Sequence, residues 1–169
     1  MTIPRMTGER RSMPNMRSTS GGMDVECRLE APVLKELLAY WQRRRPAADR
    51  LPGRAHIDPV DIPALLPHIF LVDVQRAPRI YRYRLFGTEL ADSYGRDITG
   101  KAVDELFTDV FRKAVTLVFN HVVDHRAPLR TYGTMAWREK HHLRFEAVQM
   151  PLAADGAAVD MILGAVVYR

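Results

Sequence analysis

The spacing of apolar positions changes several times along the chain, and each change marks a predicted element. In APVLKELLAYWQRRR, residues 31–45, Leu34, Leu37, Leu38 and Trp41 recur at i, i+3, i+4 and i+7. That spacing lines one face of a helix. Pro32 suits the first turn, where a missing N–H is harmless. Arg43, Arg44 and Arg45 complement the negative pole of the helix dipole, and Pro46 ends the helix. Residues 46–63 hold four prolines and one glycine, which predicts only short helical turns, with Asp58 and Asp61 as candidate caps. Strands follow. HIFLVDV (68–74) is an apolar run, and RIYRYRLFG (79–87) alternates. Its period of two puts Tyr81, Tyr83 and Leu85 on one face, and Arg82, Arg84 and Phe86 on the other. RAP (76–78) turns the chain between the two runs, so they predict a hairpin.

Residues 88–107 carry Gly and Asp too often for one long helix and predict two or three short ones. TDVFRKAVTLVFNHVVDHR (108–126) is the strongest helical pattern. Thr108 or Asp109 can cap it, and Phe111, Val115, Val118 and Val122 form its buried stripe. After Pro128 the pattern returns to strands, at about 129–137, 142–152 and 158–168, with turns at REKHH (138–142) and AADG (153–156). The last strand is apolar on both faces, as central strands are. Helix, hairpin, short helices, long helix and three-strand meander together predict an α+β domain: a five-stranded antiparallel sheet with helices on one face. The apolar face of helix 31–45 is the candidate cover for the other face, and the same surface of a second copy is the alternative.

Composition and charge alter this picture mainly at the N-terminus. Residues 1–28 show no periodicity and contain RSTSGG (17–22), so they predict a disordered basic leader ahead of a domain at 29–169. The formal net charge is +5, of which residues 1–23 carry +3 and residues 43–54 carry +4, leaving −2 for the rest. The predicted globule is therefore not basic, which weakens a nucleic-acid or membrane-surface reading through the leader and Arg43–Arg45. Cys27 is the only cysteine, so no intrachain disulfide can form, and a reducing, cytoplasmic setting is expected. No apolar run approaches the roughly 18 residues of a membrane span. The arginine-bearing N-terminus lacks the apolar core of a secretory signal.

Several segments at these spacings carry a resemblance: YW (40–41), IDPVDIPALLPHIFLVDV (57–74), YRYRLFGTEL (81–90), GRDITGK (95–101) and MPLAADG (150–156). Across about 31–168 the chain resembles a PAS domain, of the single-domain PAS-type family common in alphaproteobacteria. The resemblance implies a five-stranded antiparallel sheet and helices enclosing a small pocket. It also implies a sensory or protein-interaction role rather than an enzyme. The expected pocket residues are Tyr83, Leu85, Leu90, Tyr94, Phe107, Phe111, Val115 and Phe145. These either fill the core or, since a buried tyrosine hydroxyl wants a partner, line a site for a small ligand. Leu34, Leu37, Leu38 and Trp41 are expected to cover the sheet or form a homodimer contact. Signals would pass to a protein partner of unknown identity.

Other candidate chemistry is thin. His121 and His125 stand at i, i+4 with Asp124 beside them, a spacing that can hold a metal. Both flank the apolar stripe, so structural histidines are the simpler reading and a haem ligand from either is the alternative. Cysteine-based flavin photochemistry lacks its cysteine near the pocket, and no cofactor is required. His141 and His142 read as a solvated pair in a turn. No phosphate loop, serine elbow or paired carboxylates support catalysis. Arg82 and Arg84 are expected to pair with acids of the covering helix, such as Glu36.

Overall fold

Helix α1 (Pro32–Arg43) forms where the apolar spacing predicts it, with Pro32 in its first turn. Leu34 and Leu37 are fully buried, and Trp41 is 2% exposed. Burying each such side chain is worth about 1.5–3 kcal/mol. Strands β2 (Ile69–Gln75) and β3 (Ile80–Phe86) make the expected hairpin. Helices α2 (Thr88–Tyr94), α3 (Val103–Leu106) and α4 (Asp109–His125) follow, and then strands β4 (Leu129–Trp137), β5 (Lys140–Leu152) and β6 (Met161–Tyr168). The computed structural model describes residues 17–106, 109–137 and 140–169, with side chains except at 17–20 and 135–142.

One element departs from the expected leader. Residues Arg17–Asp24 form an edge strand, β1, antiparallel to β4, so among the described residues the sheet has six strands, not five. The strand order is β1-β4-β5-β6-β2-β3, with every pairing antiparallel. A Gly-Ser segment has little strand propensity, but here the glycine matters. A Cβ on Gly22 would lie 2.6 Å from the Tyr132 hydroxyl of the neighbouring strand. The bare backbone thus lets the Tyr132 ring lie over β1, the arrangement by which an aromatic offsets an edge glycine. Asp24 closes the strand, accepting from the backbone N–H of Glu26 and Arg28 at 3.0 and 3.1 Å. Residues 1–16 lie outside the described residues.

β6 sits between β5 and β2, the central place its two apolar faces require. Gly164 in β6 pairs with Phe70 in β2. A Cβ at 164 would come within 2.1 Å of the Phe70 ring, so the ring lies directly over this glycine. Phe70 then meets Tyr83 and Phe119 at ring-centre distances of 5.9 and 6.1 Å. This aromatic group joins the hairpin to α4.

Successive residues of β5 face opposite sides of the sheet. Phe145, Ala147 and Gln149 point toward α4. Glu146 has the opposite parity, and its carboxylate accepts the backbone N–H groups of Glu30 and Ala31, both at 2.8 Å, where α1 begins. The Trp41 indole N–H donates to the Pro151 carbonyl at 2.9 Å. The apolar face of α1 is therefore buried against its own chain. Two further expectations change. Asp58 does cap its turn, accepting from Val60 N–H at 2.9 Å, but Asp61 instead accepts from the Tyr40 hydroxyl and pairs with Arg44. Arg84 pairs with Asp73 at 2.9 Å, and Arg82 donates to the Gly100 carbonyl at 2.9 Å, rather than to acids of α1.

Candidate ligand cavity

α4 crosses the sheet and leaves space beneath it. Its C-terminal half is pinned: the Tyr81 hydroxyl donates to Asn120 Oδ1 at 2.6 Å, and Arg79 pairs with Asp124 at 2.9 Å. Phe119 packs edge-on against Tyr81 at 5.2 Å. Its N-terminal half is less deeply buried, with Phe111 and Val115 half-buried. Beneath them is a cavity of about 200 Å³. Phe70, Tyr83 and Phe86 line it from the hairpin, and Tyr94 and Ile98 from α2 and the turn after it. Phe111, Ala114, Val115, Val118 and Phe119 line it from α4, and Thr131, Phe145, Ala147, Gln149, Val166 and Tyr168 from the meander.

Five of the eight expected pocket residues meet here: Tyr83, Tyr94, Phe111, Val115 and Phe145. Leu90 is buried in the core, 1% exposed, but is not part of the lining. Leu85 is turned out, 39% exposed. The cause is a bulge in β3: Leu71 pairs with Leu85 but Val72 with Tyr83, which leaves Arg84 as an extra residue. A bulge reverses the alternation beyond it, so Phe86 takes the inward place that a strict period of two assigns to Leu85. Phe107 lies outside the described residues. Sequence reasoning missed Phe70, Phe119 and Gln149. Phe70 sits in an apolar run without parity, and Phe119 lies one position from the predicted stripe residue Val118.

The polar groups of the lining are few and uncharged. Burial pushes the Tyr83 phenol above its ordinary value, with the nearby phenols of Tyr168 and Tyr94 adding to it. Burial likewise pushes Tyr168 up to about 12. Tyr94 donates a long bond, 3.5 Å, to the Leu106 carbonyl. Gln149, 5% exposed, donates through Nε2 to Thr131 Oγ1 at 3.1 Å, and its Oε1 has no partner. Among the described residues, no Asp, Glu, Lys, Arg or His lines the cavity.

His121 and His125 are outside this lining. Their rings stack with centres 3.9 Å apart, and His125 Nδ1 lies 2.9 Å from the His121 carbonyl. Burial and the neighbouring His125 hold His121 below its ordinary value. The side chains of His141 and His142 lie outside the described residues. Arg45 reaches the Ala48 carbonyl and stands 5.6 Å over the Trp41 ring, and Arg44 stands 5.0 Å over Tyr40. Two of the three helix-end arginines are thus engaged within the chain.

A second hollow, of about 620 Å³, lies at Glu30, Arg130, Tyr132, Arg144, Glu146 and Arg169. It is larger, but its two acids, Glu30 and Glu146, already pair with Arg130 and Arg169. Glu146 takes Arg130 at 2.6 Å and Arg169 at 2.9 Å.

A family model described as PAS domain matches residues 29–167. Among curated proteins none matches the chain.

Proposed function

The chain belongs to the PAS domain family, and on that premise we propose that it is a sensory module whose cavity under α4 takes a small molecule. PAS domains are in general sensory or interaction modules rather than enzymes. The observation that carries the reading is a cavity of about 200 Å³ whose described lining is mostly apolar, with the phenols of Tyr83, Tyr94 and Tyr168 among its few polar groups. Ligand sites combine an apolar lining with a few placed polar groups in this way.

Occupancy would act by population shift, favouring whichever packing of α4 on the sheet holds the occupant better. The readout would be a contact with a protein partner or with a second copy of the chain. Native mass spectrometry of gently purified protein tests the reading. The expected result is a stoichiometric small-molecule adduct that is lost on denaturation. A chain that carries no adduct and whose cavity residues respond to no added small apolar compound would instead be an interaction domain with a filled core.

A further inference from the structure

The hollow of about 620 Å³ on the Glu146 side of the sheet is lined by three arginines, Arg130, Arg144 and Arg169, and by two acids, Glu30 and Glu146. Three positive charges against two negative leave one positive charge over. Both acids are spent on the same two arginines. Glu146 takes Arg130 at 2.6 Å and Arg169 at 2.9 Å, and Glu30 takes them at 3.7 and 3.4 Å. Asp24, just outside the lining, reaches Arg130 at 3.8 Å and is itself held by Arg28 at 3.1 Å. Among the described residues no acid pairs with Arg144, which is exposed.

An exposed arginine by itself makes no site, but strand register sets this one apart. The Arg144 N–H donates to the Arg169 carbonyl at 2.9 Å, and the Arg169 N–H donates to the Arg144 carbonyl at 2.8 Å. Residues that exchange both bonds stand directly opposite one another, with their side chains on one face. Like charges in that position repel, and the two acids offset only the Arg169 member. An anion between the guanidiniums replaces the repulsion with charge-assisted hydrogen bonds, and paired oxygens match the guanidinium fork. We propose that the hollow is an oxyanion site, in which a carboxylate or phosphate group of a small molecule is held between Arg144 and Arg169. It is independent of the cavity under α4, which lies on the other face of β5. Arg169 is 48% exposed, so salt screens the attraction and binding weakens as chloride rises.

Inorganic phosphate and succinate are each titrated into the ¹⁵N-labelled full chain at constant ionic strength, following the backbone resonances of Arg144, Glu146, Val167 and Arg169. Saturable shifts at these positions are expected from at least one of the two, and the tighter binder names the group the hollow takes. Arg144→Gln should weaken that binding about tenfold. Arg43→Gln removes the same charge from the end of α1 and should leave binding within about twofold. Thermal unfolding gives a second readout: the tighter binder should raise the Tm of the parent and not that of the Arg144 variant. Shifts that never saturate, or an equal loss in the two variants, would mean attraction by net charge alone and overturn the site. Undiminished binding in Arg144→Gln would overturn it as well. Each of these failures leaves the reading of the α4 cavity untouched.

Discussion

Glu146→Gln is a change of one atom that tests how α1 is held to the sheet. The Glu146 side chain is 4% exposed. Its carboxylate accepts four hydrogen bonds: from Glu30 N–H and Ala31 N–H at 2.8 Å each, from Arg130 Nε at 2.6 Å, and from Arg169 Nη2 at 2.9 Å. A glutamine keeps one oxygen acceptor and turns an NH₂ group toward donors. Removing one partner of a buried ion pair costs about 3–5 kcal/mol. Arg169 is 48% exposed, so its share is small. Arg130 is 11% exposed and would lose its closest partner, though Asp24 and Glu30 remain within 3.8 Å. The lower end, about 3 kcal/mol, is therefore expected. For a domain of this size that lowers Tm by roughly 6–12 °C.

The pH dependence carries an independent sign. Burial pushes the Glu146 carboxyl up, but the Glu30 N–H, the Arg130 guanidinium and the Ala31 N–H outweigh it and hold it below its ordinary value of 4.5. The carboxylate therefore contributes stability that is fully present above that value and is lost as pH falls through its folded value. The gap between parent and variant should be widest near neutral pH and close below pH 4.5. Urea unfolding across pH measures the gap, and amide exchange over residues 32–43 shows whether α1 loosens first. Equal stability at neutral pH, or unchanged exchange in α1, would refute the argument that Glu146 anchors this helix.

Two further changes test the packing. Gly164→Ala forces the Phe70 ring off β6, an overpacking cost of about 1–3 kcal/mol. Phe70→Leu in the same chain should recover part of it, a non-additivity that denaturant unfolding of the single and double variants detects. Trp41→Phe leaves the Pro151 carbonyl without its donor and should destabilise by about 1–3 kcal/mol. Light scattering should show the same mass as the parent, because Trp41 is buried within its own chain.

Side-chain periodicity made α1, α4, the hairpin and the central place of β6 legible in the sequence. Those features are written in what each residue buries. Features that depend on backbone pairing were not legible. RSTSGG looks like linker because Gly and Ser bury little, yet its N–H and C=O groups pair with β4, and only the partner strand reveals that. The bulge at Arg84 is likewise a matter of ladder register, and it exchanged Leu85 for Phe86 at the cavity. Gln149 was missed for a different reason. A lone polar residue in a strand ordinarily faces solvent, and only the tertiary fold turns it beneath α4.

The alternation along β5 divides the chemistry of the domain in two. Phe145, Ala147 and Gln149 face a cavity whose described lining holds no acid or base. Glu146, between them in sequence, faces the other way and gathers Arg130 and Arg169 at the start of α1. Arg130 stands beside Thr131 in β4 and has the opposite parity from it. Acid strong enough to protonate a carboxyl held below 4.5 therefore releases the anchor of α1, while burial holds the Tyr83 and Tyr168 phenols of the cavity above their ordinary value. Acid loosening of α1 and filling of the cavity are chemically separate perturbations applied to opposite faces of one strand. Any effect of one on the other must then be mechanical, carried by the β5 backbone rather than by a shared charge.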